Sequence, residues 1–332
     1  MKIYSLGAIV FYMNNLLVLT IMKPSILVGG QAVINGVMIR VPGAYATAVR
    51  DSDQNIQIDR HEFISKTEKS SFWKAPFFRG IISLFESMKI GLNTLQWSAN
   101  IALAEEESES QSKIRIWLTN AFAILLSLVL FIGCPYWITT NLFEIEQKAL
   151  LFNLTAGLIR IGFFLLYLVG ISMLKDVKIL FQYHGAEHRV IYNFESGKEL
   201  NVKNAQSFPT QHPRCGTSFM FIVLLSTIFV FAFIDSAIIF FYGQINILLR
   251  LVFHLPLIPI AVGIAYEIIK LTSRSDNALL GWLQKPGLWL QNITTKPPEN
   301  NMVEIAIKAL KIAFGDTYNK FSGRKFKAEA IG

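Results

Sequence analysis

Four stretches of this 332-residue chain are nearly free of charge over the length of a bilayer crossing. Ile116 to Phe143 contains no charged side chain, and Leu154 to Leu174 is interrupted only by Arg160. Cys215 runs uncharged to Ile234 and continues past Asp235 to Tyr242; Leu251 to Tyr266 is again uncharged and, with the residues from Ile245 onward, Arg250 among them, makes a fourth. A crossing needs about 20 apolar residues, and in hydrocarbon a helix satisfies its own backbone hydrogen bonds, so each run is predicted to be a transmembrane helix. Only a few residues around Gly243-Gln244 separate the last two, which predicts a tight helical hairpin.

The remaining pattern is water-facing. Tyr45, Thr47 and Val49 alternate with alanines, Asp51 to Asn55 reads as a turn, and Ile56 and Ile58 alternate with Gln57 and Asp59, which predicts a β-hairpin. From Pro76 onward Phe77, Ile81, Phe85, Met88, Leu92, Leu95 and Ala99 recur at helical spacing. That amphipathic helix is expected to bury its apolar face, Phe85 and Met88 included, on the membrane or on the bundle. Glu105 to Glu109 reads as a solvated linker. Val303, Ile307, Leu310 and Phe314 form another amphipathic face, and the tail after Asp316 is expected to fray. Residues 1–25 resemble a signal peptide in hydropathy, but Asn14-Asn15 splits the run and no A-x-A pattern follows, so cleavage is not expected; Met13 and Met22 are alternative starts. The expected fold class is therefore mainly α, a polytopic membrane protein with about four transmembrane helices and a small N-terminal α+β region. Its expected divisions are 1–25, a leader of doubtful status; 26–115, the hairpin and amphipathic helix; 116–268, the four-helix membrane region with a His-rich loop at 175–216; and 269–332, a C-terminal region.

Composition supports this reading. The chain is 52% hydrophobic and only 16% charged, where soluble domains carry about 25% charged residues. Its 26 Phe and 2 Cys exclude a disordered chain and a disulfide scaffold. The net charge of +8 records topology rather than nucleic-acid binding: 28 of the 31 Lys and Arg precede the first span, lie between the second and third, or follow the fourth. The positive-inside rule makes that shared side cytoplasmic, or stromal in a plastid, with the lipid bilayer as the expected partner and no nucleic acid. Arg160, Asp235 and Arg250 are expected near the outer interface, snorkelling and forming an Asp235–Arg250 pair across the hairpin. His254 reads as a satisfied core histidine. Cys134 and Cys215 fall at opposite membrane faces, too far apart for a disulfide.

Candidate chemistry lies in the middle loop, His184-Gly-Ala-Glu-His188. Two His at i and i+4 project from one helical face and can share a metal ion, with the intervening Glu187 as base on a metal-bound water; this is the inverted zinc-hydrolase order. Of five His in the chain, His184, His188 and His212 share this loop. His212-Pro-Arg-Cys215 closes it, which offers His212 and Cys215 as further ligands and Arg214 as a holder of an anionic group. The hairpin returns Glu267 to the same face as another candidate ligand. The competing reading is a polar cluster that seats the loop on the bundle, with Glu267 pairing Arg189 or Arg214.

The chain resembles the YqhQ-like family of bacterial membrane proteins (domain of unknown function 1385) from about Leu27 to Phe314. The residues that carry the resemblance are Gly29-Gly-Gln-Ala-Val-Ile-Asn-Gly-Val-Met-Ile-Arg40, Tyr183-His-Gly-Ala-Glu-His188, His212-Pro-Arg-Cys-Gly-Thr-Ser-Phe219, Tyr266-Glu267 and Pro286-Gly-Leu-Trp-Leu-Gln-Asn-Ile-Thr-Thr295. Cyanobacterial members look most similar, which implies a bacterial plasma membrane or a plastid membrane. The resemblance implies a predicted metal-dependent enzyme of unestablished activity. Where the family usually has glutamate this chain has Asn35, which as a ligand would bind through its carbonyl. The expected function is thus a metal-dependent hydrolase at the membrane face using a divalent ion, zinc for instance; the alternative is a non-catalytic membrane scaffold or assembly factor. A transporter is disfavoured because so few charges lie within the spans. Substrate and oligomeric state are not legible.

Overall fold

The computed structural model describes residues 26–102, 113–213, 215–274 and 278–326. The leader, the acidic Glu105–Glu109 stretch and Arg214 lie outside the described residues. The chain is mainly helical. Among the described residues, four helical stretches are long and apolar enough to cross a membrane: Trp117–Phe143, Ala149–Ser172, Gly216–Tyr242 and Ile247–Leu271. They agree closely with the four runs read from the sequence.

The N-terminal part forms one antiparallel sheet in the order β1 (Gly29–Val33), β2 (Gly36–Val41), β3 (Ala44–Arg50) and β4 (Ile56–Glu62). The predicted hairpin is β3–β4, with Asp51 Oδ1 accepting from Asn55 N at 2.7 Å in the turn. The glycine-rich motif supplies β1 and β2, which the sequence did not reveal as strands. Asn35 occupies the turn between them at φ 51°, a left-handed conformation that Asn tolerates better than most residues.

The helices used below are α1 (Phe78–Ala102), α2 (Lys113–Leu128), α3 (Cys134–Phe143), α4 (Ala149–Ser172), α5 (Lys175–Glu195), α6 (Gly216–Tyr242), α7 (Ile247–Arg274), α8 (Ala278–Thr294) and α9 (Asn300–Phe314). The sheet lies between two helical layers. Val37, Ile39, Val41, Ala44, Ala46 and Ala48 share a core with Val190, Ile191 and Phe194 of α5 and with Val303, Ile307, Leu310 and Phe314 of α9. On the opposite face Val33, Met38 and Val49 pack against Ile90 of α1. Segments far apart in sequence therefore share one core. The tail does not fray where expected: Phe326 N donates to the Glu195 carbonyl at 2.9 Å, and its ring stacks on Phe194.

Of the two surfaces expected to cover the apolar face of α1, the bundle does not cover Phe85 and Met88. The buried positions of α1 are Gly80, Ile90, Thr94 and Ser98, and Phe85 and Met88 are exposed.

Inside the bundle the ionisable groups do not snorkel. Asp235 and Arg250 are 0% exposed and Arg160 is 6% exposed. The expected pair forms, with Arg250 Nε 2.8 Å from Asp235 Oδ2. Asp235 Oδ1 also accepts from His254 Nε2 at 2.8 Å, and Oδ2 from Asn153 Nδ2 at 2.6 Å. His254 Nδ1 in turn receives the Tyr136 hydroxyl at 2.6 Å. Arg160 serves another purpose. Pro135 has no N–H for the carbonyl four residues earlier, on Phe131, and Arg160 Nε donates to that carbonyl at 2.8 Å. A π-helical turn at Val129–Gly133 joins α2 to α3 just before this proline.

Candidate metal centre

The expected loop at 175–216 is mostly helix. Leu174, in extended conformation, precedes α5, and Asp176 stands in its first turn, complementing the positive end of the helix. His184 and His188 project from the same face of α5, one turn apart, with ring centroids 4.5 Å apart. Gly185 is required between them because an added Cβ would come within 2.1 Å of the Lys296 carbonyl oxygen. That close approach seats α5 on the segment after α8, where Lys296 N donates to the Phe181 carbonyl at 2.9 Å.

Each imidazole is oriented by a backbone carbonyl. His184 Nδ1 donates to Thr294 O at 2.9 Å, and His188 Nδ1 donates to Thr210 O. Carbonyls only accept, so both Nδ1 atoms carry the proton and both Nε2 atoms keep a free lone pair, the arrangement typical of metal-binding histidines. Cys215 sits immediately before the first turn of α6, and its Sγ lies 3.3 Å from His184 Nε2. The ligand atoms of His184, His188 and Cys215 all lie within 4.8 Å of one another, with His188 and Cys215 buried and His184 half-buried. Two nitrogens and a sulfur at this spacing suit a zinc-type divalent ion and leave a fourth position open.

Glu187 is fully enclosed beside this group. Its Oε2 is 3.4 Å from His188 Nε2. Burial pushes its pKa up to about 7, although His184 and a hydrogen bond from the Gly30 backbone oppose the rise, and Glu195 adds to it. Gly30 is the close wall: a Cβ there would meet Glu187 Oε1 at 3.1 Å and the Met38 carbonyl at 2.2 Å.

The other candidates divide. His212 is buried next to the group, its ring 5.7 Å from that of His188, and its Nε2 is 3.3 Å from Glu195 Oε2. Gln291 fixes that segment, its Oε1 accepting from His212 N at 2.7 Å and its Nε2 donating to His212 O at 2.9 Å. Glu267 is placed elsewhere and does not pair with Arg189: it receives Arg79 Nε at 2.8 Å and Phe77 N at 3.0 Å. Arg214 lies outside the described residues. Asn35 is five residues along β1 from Gly30, on the order of 16 Å, at an exposed turn. Glu195 and Gly30 were missed in the sequence. Glu195 follows His188 by seven residues and so shares its helix face, a signal that was available.

Gly185→Ala is expected to disrupt this geometry, because the conflicting atom is backbone and α5 must move off the segment after α8. Thermal unfolding in detergent should fall by several degrees, whereas Gly162→Ala in α4, where nothing lies within 4 Å of an added Cβ, should be close to neutral.

The chain matches the family model described as "Protein of unknown function (DUF1385)" over residues 75–316. It is also 32% identical, over 297 residues, to the "Uncharacterized protein YqhQ" of Bacillus subtilis (strain 168), a match covering 85% of this chain and 90% of that protein. No solved structure matches it.

Proposed function

We propose, from the premise that this chain belongs to the DUF1385 family of proteins of unknown function, that it is an integral membrane protein with a zinc-type hydrolytic centre at its cytoplasmic face. The observation that carries this reading is the convergence of the His184, His188 and Cys215 ligand atoms within 4.8 Å, beside a buried carboxyl group. His184 Nε2, His188 Nε2 and Cys215 Sγ would hold the ion. A divalent ion there lowers the pKa of a bound water and polarises a substrate carbonyl or phosphoryl oxygen. Glu187, buried beside these ligands and ionised next to a cation, would take a proton from water and return it to the leaving group. The Glu195–His212 pair braces the His188 ring, and Arg214 holds an anionic part of the substrate. Glu267 is not a ligand in this reading, since Arg79 and Phe77 engage its carboxylate. The cytoplasmic assignment rests on the distribution of Lys and Arg.

A second reading has its own support. Cys215 Sγ and His184 Nε2 are 3.3 Å apart and satisfy each other without an ion, as a polar cluster in a scaffold protein would.

Metal analysis separates the two. Protein purified without chelator should carry near one equivalent of a divalent transition metal. His184→Ala and His188→Ala should each weaken retention more than about ten-fold, while Glu187→Gln keeps the metal. A metal-free wild-type protein, with His188→Ala as stable as the parent, sinks the hydrolase reading.

A further inference from the structure

Among the described residues outside the spans, one side of α1 is an uncovered apolar surface. This helix has 25 residues and a length of about 37 Å. Its inner side is tied to the sheet: Gln31 Nε2 donates to Gly91 O and to Thr94 Oγ1, each at 3.0 Å, and Ile34 N donates to Ser98 Oγ at 3.1 Å. Its outer side presents Phe85, Met88, Leu92 and Leu95, spaced at i, i+3, i+7 and i+10, with Phe85 59% and Leu92 63% exposed. A continuous stripe of this kind is unfavourable in water and marks a surface that something covers.

Its surroundings indicate what covers it. At the N-terminal end of α1, Gly80 and Phe77 pack against Tyr266 and Gly263 of α7, a helix long and apolar enough to cross a membrane. At that junction Phe72, Trp73 and Phe78 form an exposed aromatic cluster, with the Phe72 ring 4.8 Å from Trp73 and 4.9 Å from Phe78. Aromatic side chains of this kind gather at the membrane–water boundary. The apolar stripe therefore continues the lipid-facing surface of α7.

Charge favours the same occupant. Helix α1 contains Arg79, Glu86 and Lys89 as its charged residues. Arg79 is paired with Glu267, and Glu86 receives Ser65 Oγ and Lys66 N at 2.7 Å each. Lys89 is left exposed, with Lys66, Lys69 and Lys74 exposed nearby in sequence. These cations suit lipid phosphates. A second copy docked symmetrically on the same stripe would bring Lys89, at its centre, against its own counterpart.

We infer that the Phe85–Leu95 face of α1 lies in the headgroup–acyl boundary of the bilayer that α7 crosses. The membrane then braces α1 and, through Gln31, the strand whose Gly30 backs Glu187. The inference stands whether or not the site binds a metal.

Spin labels at Phe85→Cys, Met88→Cys and Leu92→Cys test it in the full chain with Cys134→Ala. The protein is reconstituted in phosphatidylcholine–phosphatidylglycerol liposomes, and the Cys134→Ala parent corrects for label on Cys215. The ratio of oxygen accessibility to that of a water-soluble nickel chelate should be severalfold higher at the three sites than at Asp53→Cys on the exposed β3–β4 turn. A ratio equal to that at Asp53 shows the face in water and overturns the inference. Dipolar broadening at Leu92 that disappears on dilution with unlabelled protein identifies a second copy and overturns it as well. Three independent sites keep the test decisive if one variant fails to fold.

Discussion

Replacing Asp235 by leucine is expected to destabilise the protein by about 3–5 kcal/mol, the usual cost of breaking a buried ion pair from one side. Arg250 is 0% exposed and its Nε donates to Asp235, so removal of this carboxylate leaves a buried guanidinium with only the more distant Glu146 carboxylate, 3.8 Å from its Nη1, to balance it. His254 and Asn153 lose an acceptor in the same step, and the Tyr136–His254 bond loses the group that orients the ring. Asp235 thus connects α3, α4, α6 and α7 through four side chains. The double variant Asp235→Leu with Arg250→Met should recover most of the loss, since removing both charges also removes the uncompensated one. Thermal unfolding of the detergent-solubilised protein reads both effects. An Asp235→Leu protein as stable as its parent would mean that water reaches this network and that the pair is not buried.

The network also shows how far sequence carried. The four spans were legible because uncharged length alone dictates a helix in hydrocarbon. The Asp235–Arg250 pair was legible because a hairpin brings the start of α7 beside the end of α6. Its depth was not: snorkelling was expected for Arg160, and nothing local announces that Pro135 releases the Phe131 carbonyl as its acceptor. The His184–His188 pair could be read from its helical spacing, and Cys215 from its position at the start of a span. Strands β1 and β2 were not legible because Val37, Met38 and Ile39 are all buried, so the run lacks the alternation of a one-sided strand. Glu267 was misassigned for a related reason. Its partner Arg79 lies 188 residues away in sequence, and no local pattern links α1 to the end of α7.

Glu187 should make the stability of the metal-free protein depend on pH in a direction opposite to that of an ordinary paired carboxylate. Its pKa rises from an ordinary value of 4.5 to about 7 in the fold, chiefly through burial. A raised carboxyl pKa means the folded state holds a proton that the unfolded chain has released. The associated stability is therefore fully present below pH 4.5 and is lost as pH rises through 7. The size follows from the shift: about 2.5 pH units at about 1.4 kcal/mol each gives about 3.5 kcal/mol. Glu187→Gln cannot titrate, so chelator-treated protein with this substitution should escape the loss. The stability of Glu187→Gln relative to wild type should rise by about 3.5 kcal/mol between acid and mildly alkaline pH. Zinc should abolish the contrast in wild type, because an adjacent cation favours the ionised carboxylate. A difference that stays flat across this range would place Glu187 in the ordinary carboxylate range, ionised well below neutral pH, and show that its site is not dry.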